Sequence, residues 1–400
     1  MTVTVDHKNI PKGWKKVKLG ESVDIGSSKR IFYKEYVNEG IPFYRSKEII
    51  EKYIGKNIST DLFITEEKFN EVKEKSGVPK EGDLLLTSVG TLGIPYVVNQ
   101  YDKFYFKDGN LTWFKNFNKN LYNIFLYYWI LSPVGRNELE MSSIGSTQAA
   151  LTIKGLKNLE IHLPSLSEQK AIASVLSSLD DKIDLLHRQN KTLEAMAETL
   201  FRQWFVEEAQ EDWEEKPLDE IADYLNGLAC QKFPFENDVD KLPVLKIKEL
   251  RNGFTENSDW VTSKVSEQYI VKNGDVIFSW SGSLLVKIWN GENCVLNQHL
   301  FKVTSEKYPK WFYYFWTKHH LQKFISIAES KATTMGHIKR GDLDVVMVLV
   351  PSKEEIEEMR IIMDPIVKKF IKNTKQIRTL KQLRDTLLPK LMNGVVRMKI

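Results

Sequence analysis

The chain repeats itself, and the repeat decides what it can fold into. Aligning Pro164 with Pro351, an offset of 187, also aligns Asn110 with Asn297, Phe114-Lys115 with Phe301-Lys302, Ser146-Thr147 with Thr333-Thr334, and Leu156 with Leu343. The same offset lays FLYYW (Phe125 to Trp129) on FYYFW (Phe312 to Trp316). Nearer the N-terminus the offset grows: Gly82-Asp83 meets Gly274-Asp275 at 192, and Trp14 meets Trp213 at 199. The first copy is therefore longer by small insertions. A recurring period marks a repeated structural unit, so the chain is read as two equivalent units with pseudo-twofold symmetry. Its 400 residues are enough to give each unit its own core.

Each copy has the same order of parts. A tryptophan opens it, and a Gly-Asp turn leads into β-branched, strand-like runs: DLLLTSVGTLGIPYVV in the first, DVIFSWSGSLLVKIW in the second. An aromatic helix, a Ser/Thr-rich loop and one more strand follow. A Pro-Ser junction then opens a long helical pattern, LPSLSEQKAI at Leu163 and VPSKEEIEEM at Val350. The fold class is α+β. The boundaries read as a globular domain over 1–164, a long helix over 165–210, a second globular domain over 211–351, and a second long helix with the C-terminal tail over 352–400.

The helical stretches carry sustained heptads. In the first, Ser165 or Ser167 can cap the N-terminus, and the stripe runs Ile172, Leu176, Leu179, Ile183, Leu186, Asn190, Leu193, Ala197, Leu200, Trp204. In the second it runs Ile356, Met359, Met363, Ile366, Phe370, Asn373, Ile377, Leu380, Arg384, Leu387, Leu391. Each stripe holds one asparagine, the residue that fixes register in such seams. Setting Asn190 against Asn373 in an antiparallel pair makes every seam position meet a seam position: Leu186 with Ile377, Ile183 with Leu380, Leu176 with Leu387, Leu193 with Phe370, Leu200 with Met363. The spacing predicts an antiparallel coiled coil separating the two domains. Charge agrees: residues 161–212 carry net −5 and residues 353–400 net +6. Each helix packing only on its own domain is the competing reading.

Chemistry-bearing motifs are missing from the sequence. There is no phosphate-binding G-x-x-x-x-G-K-[ST], no G-x-G-x-x-G, no H-E-x-x-H, no C-x-x-C, and no N-P-P-[YF] or D-P-P-Y of a base-flipping amino-methyltransferase. Glu71-Val72-Lys73 has nuclease-like lettering within a charged helical stretch, and a solvated face explains it. The histidines show no ligand spacing, so neither metal nor cofactor is expected. Cys230 and Cys294 read as packing residues, and two cysteines imply no disulfide framework. With no apolar run near the ~18 residues that a membrane span needs and no signal pattern, the expected location is the cytoplasm, away from membranes.

The tryptophan-led segment, the Gly-Asp-Leu/Val-Leu/Ile strand, the Ser-Thr-Gln loop, LPSLSEQKAI and the closing LRDTLLPKLMNG together resemble the specificity subunit of type I restriction–modification enzymes. The second junction departs from that pattern by lacking the Glu-Gln pair after its serine. The resemblance implies two target recognition domains, each reading one half of a split sequence in double-stranded DNA. It implies that the helices set the gap and dock two methyltransferase subunits. Nuclease/translocase subunits would join through those, and the chain itself would be no enzyme.

Base reading calls for Arg or Lys at guanine and Asn or Gln at adenine, and phosphate positioning for Lys, Ser, Thr and backbone N–H groups. The first domain offers Ser27, Ser28, Lys29, Arg30, Arg45, Lys47, Thr87, Ser88, Ser146, Thr147 and Gln148. The second offers Gln231, Lys232, Lys246, Lys248, Ser279, Trp280, Ser281, Thr333, Thr334 and His337. An ordinary solvated loop is the competing reading for each. The aromatic runs FLYYW and FYYFW are assigned to the core. Residues 213–352 carry net −1, little for a lone DNA binder, so partners should supply much of the grip on phosphates. Two other classes stay open on the residues alone: a two-headed protein-interaction scaffold without DNA specificity, and part of a restriction enzyme whose catalytic pieces lie on a neighbouring chain.

Overall fold

The computed structural model describes residues 11–145, 149–330 and 336–398. The chain forms two compact units, one of residues 1–181 with 382–400 and one of residues 182–381. The same sheets are built in each.

In the first unit a four-stranded sheet runs in the order Asp24–Gly26, Leu111–Lys115, Leu84–Thr87, Pro95–Val97, all antiparallel. A second sheet places Ile41–Tyr44 between Phe63–Ile64 and a parallel partner, Tyr105–Phe106. Lys15–Lys18 pairs with Glu160–Leu163, so the start and end of the copy lie side by side. The second unit repeats this. Its antiparallel sheet runs Asp223–Asn226, Leu300–Thr304, Val276–Ser279, Leu285–Ile288. Lys241–Leu245 again has an antiparallel neighbour, Trp260–Thr262, and a parallel one, Cys294–Leu296, with Ile270–Val271 added at the edge. Glu214–Pro217 pairs with Met347–Val350.

The Gly-Asp dipeptide makes the turn before each central strand. Gly82 and Gly274 adopt φ of +86° and +93°, a region that favours glycine. The carboxylates of Asp83 and Asp275 accept the N–H groups of Lys80 and Lys272, both at 2.9 Å. The following strands are buried on both faces, which is why they read as unbroken apolar runs. The aromatic helices Asn123–Leu131 and Lys310–His319 lie in the cores, with Phe125, Trp311 and Phe312 fully enclosed. Both cysteines are free and buried, and burial pushes both thiol pKa values up.

The long helices span Leu166–Arg202 and Lys353–Met392. Their first turns differ for a physical reason. Ser352 and Glu355 form a reciprocal cap: Ser352 N–H donates to Glu355 Oε2 at 2.9 Å, and Glu355 N–H to Ser352 Oγ at 3.2 Å. At the first helix Ser165 Oγ caps Glu168 N–H at 3.3 Å, but the Glu168 carboxylate is held elsewhere, by Arg397 at 2.6 and 2.8 Å. Its neighbour Gln169 stitches the helix to the domain, accepting from Tyr122 N–H at 2.9 Å and donating to the carbonyls of Asn120 and Pro164. The glutamate thus has a counterpart in Glu355, whereas the stitching by Gln169 has none, because Ile356 stands in its place.

Within the first unit, Ile172 and Leu176 share a core with Leu387 and Leu391, and Arg384 pairs with Asp180 at 2.8 Å. Within the second, Ile183 and Leu186 pack on Ile377 and Leu380. Leu193 and Phe370 line one apolar pocket, and Leu200 and Met363 belong to the domain core. Asn190 and Asn373 are both buried. Asn190 Nδ2 donates to Thr374 Oγ1 at 3.0 Å and Asn373 Nδ2 to Gln189 Oε1 at 3.3 Å, so each bonds to the residue beside the other. Both amide oxygens lack a partner.

A buried polar atom without a partner costs stability. Replacing both residues, Asn190→Leu with Asn373→Leu, is expected to raise the unfolding free energy by about 1–3 kcal/mol. Denaturant melts measure this, and a lowered midpoint would count against a shared buried seam.

Candidate nucleic-acid interface

The polar candidates fall at several places in each unit and differ in whether their polar atoms are already used.

In the second unit, strand Asp223–Asn226 ends at Gly227, which must pass directly over the chain at Asn297. A Cβ there would sit 2.2 Å from the Asn297 carbonyl oxygen. The passage is pinned by Gly227 N–H to Leu300 O at 3.1 Å, Leu228 N–H to Leu296 O at 2.9 Å and Gln298 N–H to Leu228 O at 2.9 Å. Trp280 follows strand Val276–Ser279, which lies across Leu300–Thr304 from Asp223–Asn226. Its ring lies over Phe301 with centroids 5.8 Å apart and near His299 at 5.9 Å, and its Nε1–H donates to Asn226 Oδ1 at 3.2 Å. A backbone bond from Ile338 N–H to Trp280 O at 3.0 Å brings residues 336–340 alongside. The result is a groove of about 800 Å³ whose lining includes Asn226, Tyr269, Trp280, His337, Lys339 and Arg340. It offers an aromatic surface, an amide and two cations side by side, the groups that recognise bases and phosphates.

Of the candidates, Trp280 and His337 meet in this groove, with ring centroids 6.3 Å apart. Ser279 and Ser281 do not open onto solvent: both are buried, Ser279 Oγ bonds to Ser281 O, and Ser281 Oγ to His299 Nδ1. Gln231 and Lys246 line a separate recess of about 270 Å³ with Phe235 and Trp260. Lys246 is ion-paired to Asp259, while Lys232 and Lys248 are exposed. Thr333 and Thr334 lie outside the described residues.

In the first unit Ser88 stands at the strand end that Trp280 occupies in the second. Ser88 is buried, its hydroxyl shared with Thr112 Oγ1 at 2.6 Å, and buried Thr87 accepts from Ile94 N–H at 2.9 Å. Ser28 is likewise buried, donating to Phe106 O at 2.7 Å, and Ser27 Oγ reaches Leu111 O at 3.3 Å. Arg45 is held between fully buried Glu48 at 2.8 Å and Asp61 at 2.7 Å, and these carboxylates raise its pKa. Lys47 leans on Ser59 O at 3.2 Å. Lys29 and Arg30 are exposed, Arg30 against Asp108. Ser146, Thr147 and Gln148 lie outside the described residues.

Sequence reasoning missed Asn226, Tyr269, Lys339 and Arg340. Signals existed for some: Asn226-Gly227 is a turn dipeptide at a strand end, and Lys339-Arg340 follows His337 at once. Their convergence required the sheet. Among the described residues, no group of three or more His, Cys, Asp or Glu is placed to hold a metal ion, and no helix is long and apolar enough to cross a membrane.

Comparison with known proteins also finds the chain duplicated. Residues 11–195 and 210–382 each match the type I restriction modification DNA specificity domain. The chain is 29% identical to the type I restriction enzyme MjaIX specificity subunit of Methanocaldococcus jannaschii, across 98% of this chain and 96% of that one. It is 20% identical to the HindI specificity subunit of Haemophilus influenzae, across 96% and 99%. The crystal structure of a type I restriction–modification S subunit from M. genitalium superposes with a TM-score of 0.64 at 16% identity, covering 96% of this chain and 97% of that one.

The close passage at Gly227 yields a direct expectation. Gly227→Ala should destabilise the protein by about 1–3 kcal/mol, the usual effect of forcing an atom into packed space. Chemical denaturation measures it; unchanged stability would mean that the Asn297 backbone can move aside.

Proposed function

We infer the work of this chain from one premise: it belongs to the type I restriction modification DNA specificity family, whose domain it matches twice. It is the DNA sequence-specificity subunit of a type I restriction–modification complex. Each recognition domain reads one half of a bipartite target in double-stranded DNA. The two long helices pair as an antiparallel coiled coil, set the gap between half-sites, and dock two methyltransferase subunits. The nuclease/translocase subunits join through those. The chain performs no chemistry itself, so methyl transfer and cleavage belong to its partners.

The observation that carries this reading is the duplication. Two copies of one domain, repeated in sequence and in strand order, suit a ligand that presents two sites in fixed relation. Duplex DNA with two half-sites is such a ligand. Apolar seam residues on both helices support the spacer. The stretch from Ile172 to Trp204 is about 50 Å long at ~1.5 Å per residue, against ~34–36 Å per duplex turn. The weak net charge supports dependence on partners, because neutralised phosphates dominate the non-specific part of DNA affinity.

The test is the methylated sequence in a host that expresses the chain with its methyltransferase partner. Exchanging residues 213–350 for the matching part of a relative should change one half of the N6-methyladenine motif and leave the other half and the gap intact. Trp280→Ala should weaken or relax reading of that same half. A motif altered in both halves by the exchange would refute independent domains. Methyl transfer from S-adenosylmethionine by the purified chain alone would refute a non-catalytic role.

A further inference from the structure

The first unit carries a surface feature that the groove of the second does not explain. The segment from Ser28 to Tyr36 is anchored throughout. Ser28 Oγ donates to Phe106 O at 2.7 Å, Lys29 N–H to Tyr105 Oη at 2.7 Å, and Arg30 Nε to Asp108 at 2.8 Å. Ile31 is buried in a core cluster with Phe43 and Tyr105. Phe32 N–H donates to Glu35 Oε2 at 2.8 Å, closing a tight turn at Tyr33–Glu35, and Glu35 is itself paired with Lys68 at 2.8 Å. Tyr36 packs on Phe43 with ring centroids 5.1 Å apart.

A segment with this many anchors could have hidden its apolar side chains, yet its apex holds out two aromatic rings. Phe32 is 58% exposed and Tyr33 is 89% exposed. The Tyr33 ring stands edge-on to Tyr36 at 6.2 Å, so its direction is set by the anchored side of the turn. Lys29 and Lys34 flank the pair, both exposed and in no ion pair among the described residues. Exposed aromatics on an anchored turn beside uncompensated cations suit a polyanion that also presents flat apolar rings, which is nucleic acid.

We propose that Phe32–Tyr33 is a stacking wedge that enters duplex DNA at a base step while Lys29 and Lys34 hold the flanking phosphates. The proposal rests on the reading of this chain as a DNA-binding subunit and adds a mode of contact to it. A wedge partly unstacks the step and kinks the duplex. Pyrimidine–purine steps such as TA and CA unstack most easily. The wedge therefore favours such a step in or beside the first domain's half-site, giving sequence preference without a hydrogen bond to a base edge.

The test uses the chain assembled with its methyltransferase partner and a duplex carrying the mapped, unmethylated target, labelled at both ends. Phe32→Ala with Tyr33→Ala should weaken binding about tenfold or more, as loss of base stacking does. The dependence on salt should stay the same, and the end-to-end distance in energy transfer should lengthen toward that of straight DNA. Lys29→Ala with Lys34→Ala should instead lower the salt slope by about two, one for each phosphate released. Tyr33→Phe should restore both affinity and bend. If the aromatic double variant binds and bends DNA like its parent, the proposal is overturned and the wider reading stands. If that variant sheds the methyltransferase while its DNA contact is otherwise unaltered, the tip is a protein contact and the proposal is likewise overturned. A parent complex that binds no duplex overturns the functional reading itself, and the wedge with it.

Discussion

The structure turns on a carboxylate in the first turn of each long helix. Glu168 and Glu355 sit at equivalent places, and each is tied to the tryptophan that opens its copy. In the second unit the tie is direct, Trp213 Nε1–H donating to Glu355 Oε1 at 3.2 Å, with Gln210 beside it at 3.0 Å. In the first it runs through Arg397, which binds buried Glu168 through two nitrogens and lies over the Trp14 ring at 5.9 Å. Arg397 also donates to Lys12 O at 2.7 Å. Gly394, at φ +72°, lets the tail pass where a Cβ would be 2.5 Å from Pro11. Without that guanidinium the buried Glu168 carboxylate would have no cation beside it, which is unfavourable. The first unit is therefore complete only when the far end of the chain returns to it. Together with Leu387, Leu391 and Met392 in the apolar core, the Glu168–Arg397 pair holds residues 382–398 to residues 11–181.

This dependence explains why the domain plan read from sequence and the compact units divide the chain differently. The plan cuts at Pro164 and Pro351, where the hydrophobic period changes. The units cut inside both helices, because burial follows contact and each core takes the helix ends nearest to it in space. Much of the rest was legible. Gly82-Asp83 and Gly274-Asp275 announced their turns because glycine φ and a carboxylate acceptor are both local needs. The helix starts were legible because capping is local too. One local rule misleads: the second helix runs through Pro365, whose ring removes the bond to the Ile361 carbonyl. Ile361 stands 76% exposed, so water can reach that turn.

Site residues were less legible, for a reason visible in the hydroxyls. Thr87, Ser88, Ser279 and Ser281 look available because they are polar letters after apolar strands. In the fold the strands keep pairing to that point, and the hydroxyls satisfy neighbouring backbone and side-chain groups. Arg45 and Lys246 looked like free cations. Both instead meet an aspartate, Asp61 and Asp259, brought in by the adjacent strand. Sequence shows which residues can bond; only pairing across strands shows which have done so.

The two copies also show where such a scaffold is free to vary. Leu84 to Leu86 and Val276 to Phe278 are enclosed on both faces, so substitution there disturbs packing on two sides. One position beyond each strand the two copies diverge. Ser88 closes the first site inward against Thr112, whereas Trp280 lays an indole along the second and opens a groove beside Lys339 and Arg340. One fold thus presents a small polar strand end in one half and a broad aromatic one in the other, with the sheets beneath unchanged in order. A molecule that must read two different half-sites needs this separation. Its core is fixed by burial on both faces of the central strands, while the residues past the strand ends differ between the two copies.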